Sequence, residues 1–112
     1  MSDQPVILIT GARGGIGRSL AAQLNGQGWR VAAVGRDVSL LEDIPAEARI
    51  GADTTTPEGA ALALAQCADQ LGSAPTHLAH CVGNTLIASL HRTSPEQIRE
   101  LLRVNLESAL FM

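Results

Sequence analysis

Tyrosine is absent from all 112 residues, and phenylalanine and tryptophan occur once each. Any mechanism that requires a tyrosine hydroxyl is therefore beyond this chain alone. Cysteine is nearly as scarce: Cys67 and Cys81 cannot build a disulfide framework, and both sit in apolar stretches. A reducing, cytoplasmic setting is the expectation that follows. Long hydrophobic runs are missing too, and none approaches the ~20 residues that span a bilayer. The opening Met1-Ser2-Asp3-Gln4-Pro5 lacks the basic and apolar regions of a signal peptide. The formal charge is −3 and the cations are scattered, so no basic stripe offers itself to nucleic acid. Neither nucleic acid nor membrane is an expected partner. At this length one domain is expected, burying roughly two-thirds of its unfolded surface.

Against these absences stands one strong local signal. The apolar run Val6-Ile7-Leu8-Ile9 leads directly into Thr10-Gly11-Ala12-Arg13-Gly14-Gly15-Ile16-Gly17. A buried strand feeds a glycine-rich turn, and the turn opens into a helical pattern. Glycine lets the backbone take positive φ and approach a ligand without a Cβ in the way. The helix that follows presents unpaired N–H groups and the positive end of its dipole, a favourable seat for a phosphate. The plain alternative is a strand-to-helix turn that holds no ligand.

Strand and helix signals alternate along the rest of the chain, with no linker or low-complexity segment between them. Val6 to Thr10 is the first strand, and Ile16, Leu20 and Leu24 then recur at helical spacing until Gly26 and Gly28. Arg30 to Gly35 reads as a second buried strand, Val38 to Ile44 as a short helix closed by Pro45, and Ala48 to Ala52 as a third strand. Thr56-Pro57-Glu58 is a helix start, with Thr56 as N-cap and proline at the first helical position. The face Ala60, Leu64, Cys67, Ala68 and Leu71 suits close packing on a sheet. Thr76 to Val82 is the fourth strand, and Ser94-Pro95-Glu96-Gln97 is a capping box for a helix running to the end. Apolar strands alternating with helices predict an α/β fold, a doubly wound parallel sheet covered on both faces.

The spacing Thr-Gly-x3-Gly-x-Gly resembles the cofactor loop of the short-chain dehydrogenase/reductase family. It differs from the G-x-G-x-x-G of other dinucleotide-binding folds. The resemblance covers the chain from its first strand to its last helix. It implies a partial Rossmann-type sheet of about four strands in the order 3-2-1-4, with the cofactor crossing at the switch between strands 1 and 4. Gly11, Arg13, Gly14, Gly15, Ile16 and Gly17 would then hold the dinucleotide, and Arg13 could add a cation.

The family reads the ribose end of the cofactor at the close of strand 2, where an NAD site usually places an acid. This chain has Gly35 followed by Arg36. A guanidinium there can pair with a 2′-phosphate through charge-assisted bonds worth about 1.5–3 kcal/mol. NADP(H) is therefore expected in preference to NAD(H). Asp37 could instead serve a ribose hydroxyl, and Arg36 and Asp37 could simply be a solvated pair. Asp53-Thr54-Thr55 resembles the family's Asp-Val/Leu-Thr element, which implies an adenine contact through the Asp53 carboxylate and the Thr54 backbone. An aspartate at a strand end is also a common turn former.

His80-Cys81-Val82-Gly83 stands where the family usually shows Asn-Asn-Ala-Gly, and only the glycine is retained. Gly83 would let the chain pass close to the nicotinamide ribose. His77, His80, Cys81 and His91 show no metal-ligand spacing, and on a strand His77 and His80 point to opposite faces. No metal is expected. In the last helix, Ile98, Leu101, Leu102, Leu106, Ala109 and Leu110 form an apolar stripe that includes Asn105. An unpartnered buried amide costs about 1–3 kcal/mol, so Asn105 should have a bonding role. Val104-Asn105-Leu106 resembles the family's helix-4 asparagine of the Asn-Ser-Tyr-Lys tetrad, making Asn105 the one catalytic candidate. A neighbouring backbone carbonyl could equally satisfy it.

Family members are longer than this chain, and their catalytic serine and Tyr-x3-Lys would lie beyond Met112. Neither Ser89 nor Ser94 occupies the expected serine site. Residues 1–112 are therefore expected to be the amino-terminal, dinucleotide-binding portion of a single Rossmann-fold domain. The implied function is an oxidoreductase moving hydride between NADP(H) and a small carbonyl or alcohol substrate, present as its cofactor-binding half. The alternatives are a non-catalytic dinucleotide-binding or interaction module that assembles with a partner chain, and a degenerate fragment that binds nothing. An uncovered edge at strand 4 and the stripe around Leu101 predict a homo-oligomer or an aggregating chain.

Overall fold

Successive residues of a strand face opposite sides of a sheet, so each apolar run here feeds two separate layers. In the computed structural model, which describes residues 4–112, four strands form one parallel sheet: β1 (Val6–Thr10), β2 (Arg30–Gly35), β3 (Ala48–Gly51) and β4 (His77–His80). Their order is β3-β2-β1-β4, as expected, with Ile7 of β1 opposite Val31 on one side and His77 on the other. All of β1 is buried. Val6 and Leu8 pack with Ala32, Val34 and Ile50 beneath α2 (Pro57–Leu71). Ile7 and Ile9 pack with Val31, Ala33, Leu41 and Ile44 beneath α1 (Gly15–Gly26). Burying one such side chain fully stabilises the fold by about 1.5–3 kcal/mol. Because β1 does this on both faces, it anchors the turn that follows it.

Small residues set how closely α2 approaches the sheet. Thr56 Oγ1 accepts from Gly59 N at 3.0 Å, Pro57 sits in the first turn, and Gly72 at φ 68° ends the helix. The buried face is Gly59, Ala60, Ala63, Cys67 and Leu71, while Leu64 and Ala68 are half-buried. A Cβ on Gly59 would stand 1.7 Å from the Asp53 carbonyl oxygen. The backbone beside Asp53 thus rests directly on the helix.

The capping box predicted at Ser94 is present: Gln97 N donates to Ser94 Oγ at 3.1 Å and Ser94 N donates to Gln97 Oε1 at 2.9 Å. It starts α3 (Pro95–Leu102), which passes through a π-helical turn at Arg103–Glu107 into α4 (Ser108–Phe111). No helix among the described residues is long and apolar enough to cross a membrane.

Several local expectations shift. Strand 4 is shorter than 76–82 because the chain leaves the sheet after His80, and strand 3 ends at Gly51. The helix expected over 38–44 is only a 3-10 turn at Val38–Leu41. Ile16 is 79% exposed instead of joining the α1 core, since Gly17 and Ala21 take the buried positions of that helix. The apolar stripe of the last helix also faces outward: Ile98, Leu102, Leu106 and Leu110 are exposed, and Ser108 is buried in their stead. The outer edge of β4 pairs with no strand among the described residues.

Candidate functional site

The carboxyl ends of β1, β2 and β3 open onto a cleft of about 750 Å³, closed on the far side by residues 81–84 and by α3 with its π turn. Gly11 forms its floor. Its φ of 62° favours glycine, and a Cβ there would stand 2.5 Å from the Cys81 carbonyl oxygen. Cys81 N in turn donates to Thr10 O, and Ala12 N donates to Val34 O, each at 3.1 Å. The glycine loop is thereby fixed to both neighbouring strands.

The loop then starts α1 without a side-chain cap: Gly14 is the N-cap, and no acid lies in the first turn. By contrast, α2 is capped by Thr56 and α3 by Ser94, each with a glutamate in its first turn. An uncapped helix start beside a cleft suits an anionic ligand, because its amides and dipole lack an internal partner. The cleft fits the pyrophosphate of a dinucleotide on that ground. Arg13 and Gly14 line the cleft, whereas Gly15, Ile16 and Gly17 do not. Gly17 is buried under the loop, where a Cβ would meet Gly11 O at 2.4 Å. Its glycine requirement is one of packing.

At the end of β2, Arg36 lines the same cleft and makes no hydrogen bond or ion pair among the described residues. Its neighbour Asp37 is committed locally. Asp37 Oδ1 accepts from Ser39 N at 3.0 Å and from Ser39 Oγ at 2.7 Å, and these bonds hold its carboxyl below the ordinary range. Asp53 and Thr54 also line the cleft. Asp53 Oδ1 accepts from Thr55 Oγ1 and from Thr55 N, and the hydroxyl bond chiefly keeps this carboxyl low. The turn-forming role is therefore filled, and Oδ2 still has no partner among the described residues.

The sequence reading missed Arg103. Its guanidinium lines the cleft, donates to Thr55 Oγ1, and pairs with Glu100 at 2.7 Å. The Glu100 bond raises the Arg103 pKa and lowers that of Glu100. Glu100 and Arg103 three residues apart look like a solvated helix pair in sequence. Only the fold brings Arg103 against Thr55.

Asn105 is exposed, not buried, yet its amide is fully engaged. Oδ1 accepts from Asn84 N at 2.8 Å, and Nδ2 donates to Asn84 O at 2.9 Å and Leu101 O at 3.0 Å. Backbone carbonyls satisfy it, so it acts as a clamp on residues 83–84. Gly83 lines the cleft beneath that clamp, and a Cβ there would lie 3.2 Å from Asn105 Oδ1.

His80 lies on the opposite side of this wall. Its Nδ1 is 2.7 Å from Thr10 Oγ1 and its Nε2 is 2.9 Å from Ser108 Oγ, and burial pushes its pKa down. His77 instead meets Trp29 edge-on at 4.8 Å and bonds Thr76 Oγ1. No group of three or more His, Cys, Asp or Glu among the described residues converges on a metal-sized site. Cys67 is buried, while Cys81 is half-buried and opens on the cleft; burial raises both thiol pKa values.

Solved structures share this architecture. A short-chain dehydrogenase/reductase from Vibrio parahaemolyticus is 29% identical with a TM-score of 0.79, over 94% of this chain and 50% of its own. A short-chain dehydrogenase from Streptomyces avermitilis aligns at TM-score 0.86 and 24% identity, over 97% of this chain and 42% of its own. The 3-ketoacyl-(acyl-carrier-protein) reductase of Brucella melitensis, solved with NADH, aligns at TM-score 0.86 and 22% identity, over 99% and 48%. The chain thus spans about half the length of these proteins or less. No curated protein matches it. The family model described as short chain dehydrogenase, however, matches residues 5–112, and the chain belongs to that family.

Proposed function

We propose that this cleft binds NADP(H) and that residues 1–112 are the dinucleotide-binding portion of a Rossmann-type oxidoreductase domain. The pyrophosphate lies over Gly11, Arg13 and Gly14 where the loop enters α1, and the adenine lies against Asp53 and Thr54. The 2′-phosphate meets Arg36, with Arg13 as a second cation, and the nicotinamide ribose passes Gly83. NADP(H), when bound, supplies or receives the hydride exchanged with a small carbonyl or alcohol substrate. The chain's own residues bind it, orient it and, through Asn105, hold the wall beside its reactive end. They include no tyrosine for proton transfer. Two free thiols fit a reducing cytoplasm, and the outward apolar stripe fits a homo-oligomer.

The observation that carries this reading is Arg36, a cleft-edge guanidinium that feels the charges of Asp53 and Glu100 but makes no hydrogen bond or salt bridge among the described residues, beside a carboxylate already engaged by Ser39. Titrating NADPH and NADH against the chain by cofactor fluorescence tests it. NADPH should bind more tightly, and Arg36→Ala should weaken NADPH by at least about tenfold while changing NADH little. Equal losses for both cofactors would refute the 2′-phosphate role.

A second reading has its own support. The absence of tyrosine and the outward stripe on α3 and α4 fit a non-catalytic dinucleotide-binding module covered by a partner chain. It predicts cofactor binding, a defined assembly and no turnover.

A further inference from the structure

The polar contacts behind the cleft wall have only one consistent direction. Ser108 has a single hydroxyl proton, and it goes to the Val104 carbonyl at 2.5 Å. Ser108 Oγ must then accept from His80 Nε2, which therefore carries the ring proton. His80 Nδ1 is left bare and accepts from Thr10 Oγ1. Thr10 is completely buried and its hydroxyl has no other acceptor among the described residues, so a proton on Nδ1 would break the relay there.

The two ends of this relay matter more than its middle. Thr10 is the residue immediately before Gly11, the cleft floor. Val104 and Ser108 bracket Asn105 within the π turn and at its exit, and Asn105 holds both backbone polar groups of Asn84. A serine that bonds the carbonyl four residues back tends to bend its helix. Here that bend is tied through an imidazole to the glycine-loop strand.

We propose that His80 is a positioning residue of the cofactor cleft, fixing through Thr10 and Ser108 the separation between the glycine loop and the Gly83–Asn84 wall that Asn105 clamps. The cofactor part of this statement rests on the NADP(H) reading, while the positional part does not. His80 does not line the cleft. It acts through Ser108 on the turn that carries Asn105.

Three variants and two readouts test the relay. His80→Gln keeps one acceptor and one donor in the same direction, His80→Leu keeps bulk without polarity, and Ser108→Ala removes the relay's far end. Amide hydrogen exchange at Asn84 reads the wall, and NADPH titration reads the cleft. His80→Leu and Ser108→Ala should each cost several-fold in Asn84 protection and about tenfold in NADPH affinity. The double variant should cost no more than either alone, because both cut one path. His80→Gln should restore both readouts to within about twofold of the parent. Long-range proton–nitrogen NMR should show the parent His80 protonated at Nε2.

An Nδ1-protonated ring overturns the proposal, as do unchanged Asn84 protection in His80→Leu and fully additive losses in the double variant. Should His80→Leu fail to fold, the Ser108→Ala and His80→Gln measurements decide by the same criteria. If the parent binds no dinucleotide, the NADP(H) reading fails. Asn84 exchange then decides the positional claim by itself.

Discussion

Asn105 holds Asn84 by both of its backbone polar groups, accepting from N at 2.8 Å and donating to O at 2.9 Å. A side chain on the last helical segment thus fixes the chain after it leaves β4, four residues past His80. The third bond, to Leu101 O, fixes the amide itself within the helix. Asn105→Ala removes all three. Because the site is exposed, the stability loss should be only about 1–2 kcal/mol. Exchange of the Asn84 amide should accelerate well beyond that global loss, since its local partner is gone. Exchange rising only in step with global stability would show that the clamp has no local effect.

Gly59 offers a sharper steric test. A Cβ there would fall 1.7 Å from the Asp53 carbonyl oxygen, a backbone atom that cannot swing aside as a side chain would. Gly59→Ala should therefore push α2 and the Asp53–Thr55 segment apart, at a cost of about 1–3 kcal/mol. Helix propensity favours alanine over glycine by about 1 kcal/mol, so a net loss in thermal melts identifies the collision as the larger effect. A stabilised variant would mean that the contact relaxes cheaply.

How much of this was legible in the sequence depends on whether a feature is local. β1, β2, the Thr56 cap and the Ser94 box were readable, because each follows from patterning or capping within a few residues. The strand order came from the family resemblance, since periodicity gives the class of sheet but not its permutation. The orientation of the last helix was not readable. Leucines at 102, 106 and 110 look like a core face, yet the sheet receives Ser108, held by His80 from 28 residues away. Arg103 was hidden for the same reason, its partner Thr55 being 48 residues distant. Gly17 was legible as a required glycine, but the glycine pattern cannot separate ligand approach from helix packing, and only the structure reveals the packing contact.

The exposed stripe predicts association. Leu102, Leu106 and Leu110 are 51%, 52% and 72% exposed along one side of the last helical segment, and β4 leaves an open sheet edge nearby. Apolar surface arranged this way favours burial against another chain. Light scattering should find the parent above monomer mass. Leu102→Gln with Leu106→Gln should shift it toward monomer without lowering the melting midpoint, as neither side chain belongs to the buried core. A monomeric parent would contradict the prediction.

Acid should act on this fold in two separate windows. Burial holds the His80 imidazole below its ordinary 6.5, so the folded state prefers it neutral while the unfolded chain protonates near that value. Between the folded pKa and 6.5 the unfolded state binds more protons, and stability rises with pH. The contribution is complete above 6.5 and lost as pH falls through the folded value. Asp37, Asp53 and Glu100 behave differently: their hydrogen-bonded carboxylates hold lowered pKa values, so their contribution disappears only below the ordinary 3.8 to 4.5. Melting midpoints measured from pH 8 to pH 3 should therefore hold steady, decline first just below 6.5, and decline again below 4.5. In His80→Gln the first decline should vanish and the second remain. A parent whose midpoint is flat from pH 7 to pH 5 would show that the Thr10–His80–Ser108 relay tolerates a second ring proton, and the one-way direction derived for it would be wrong.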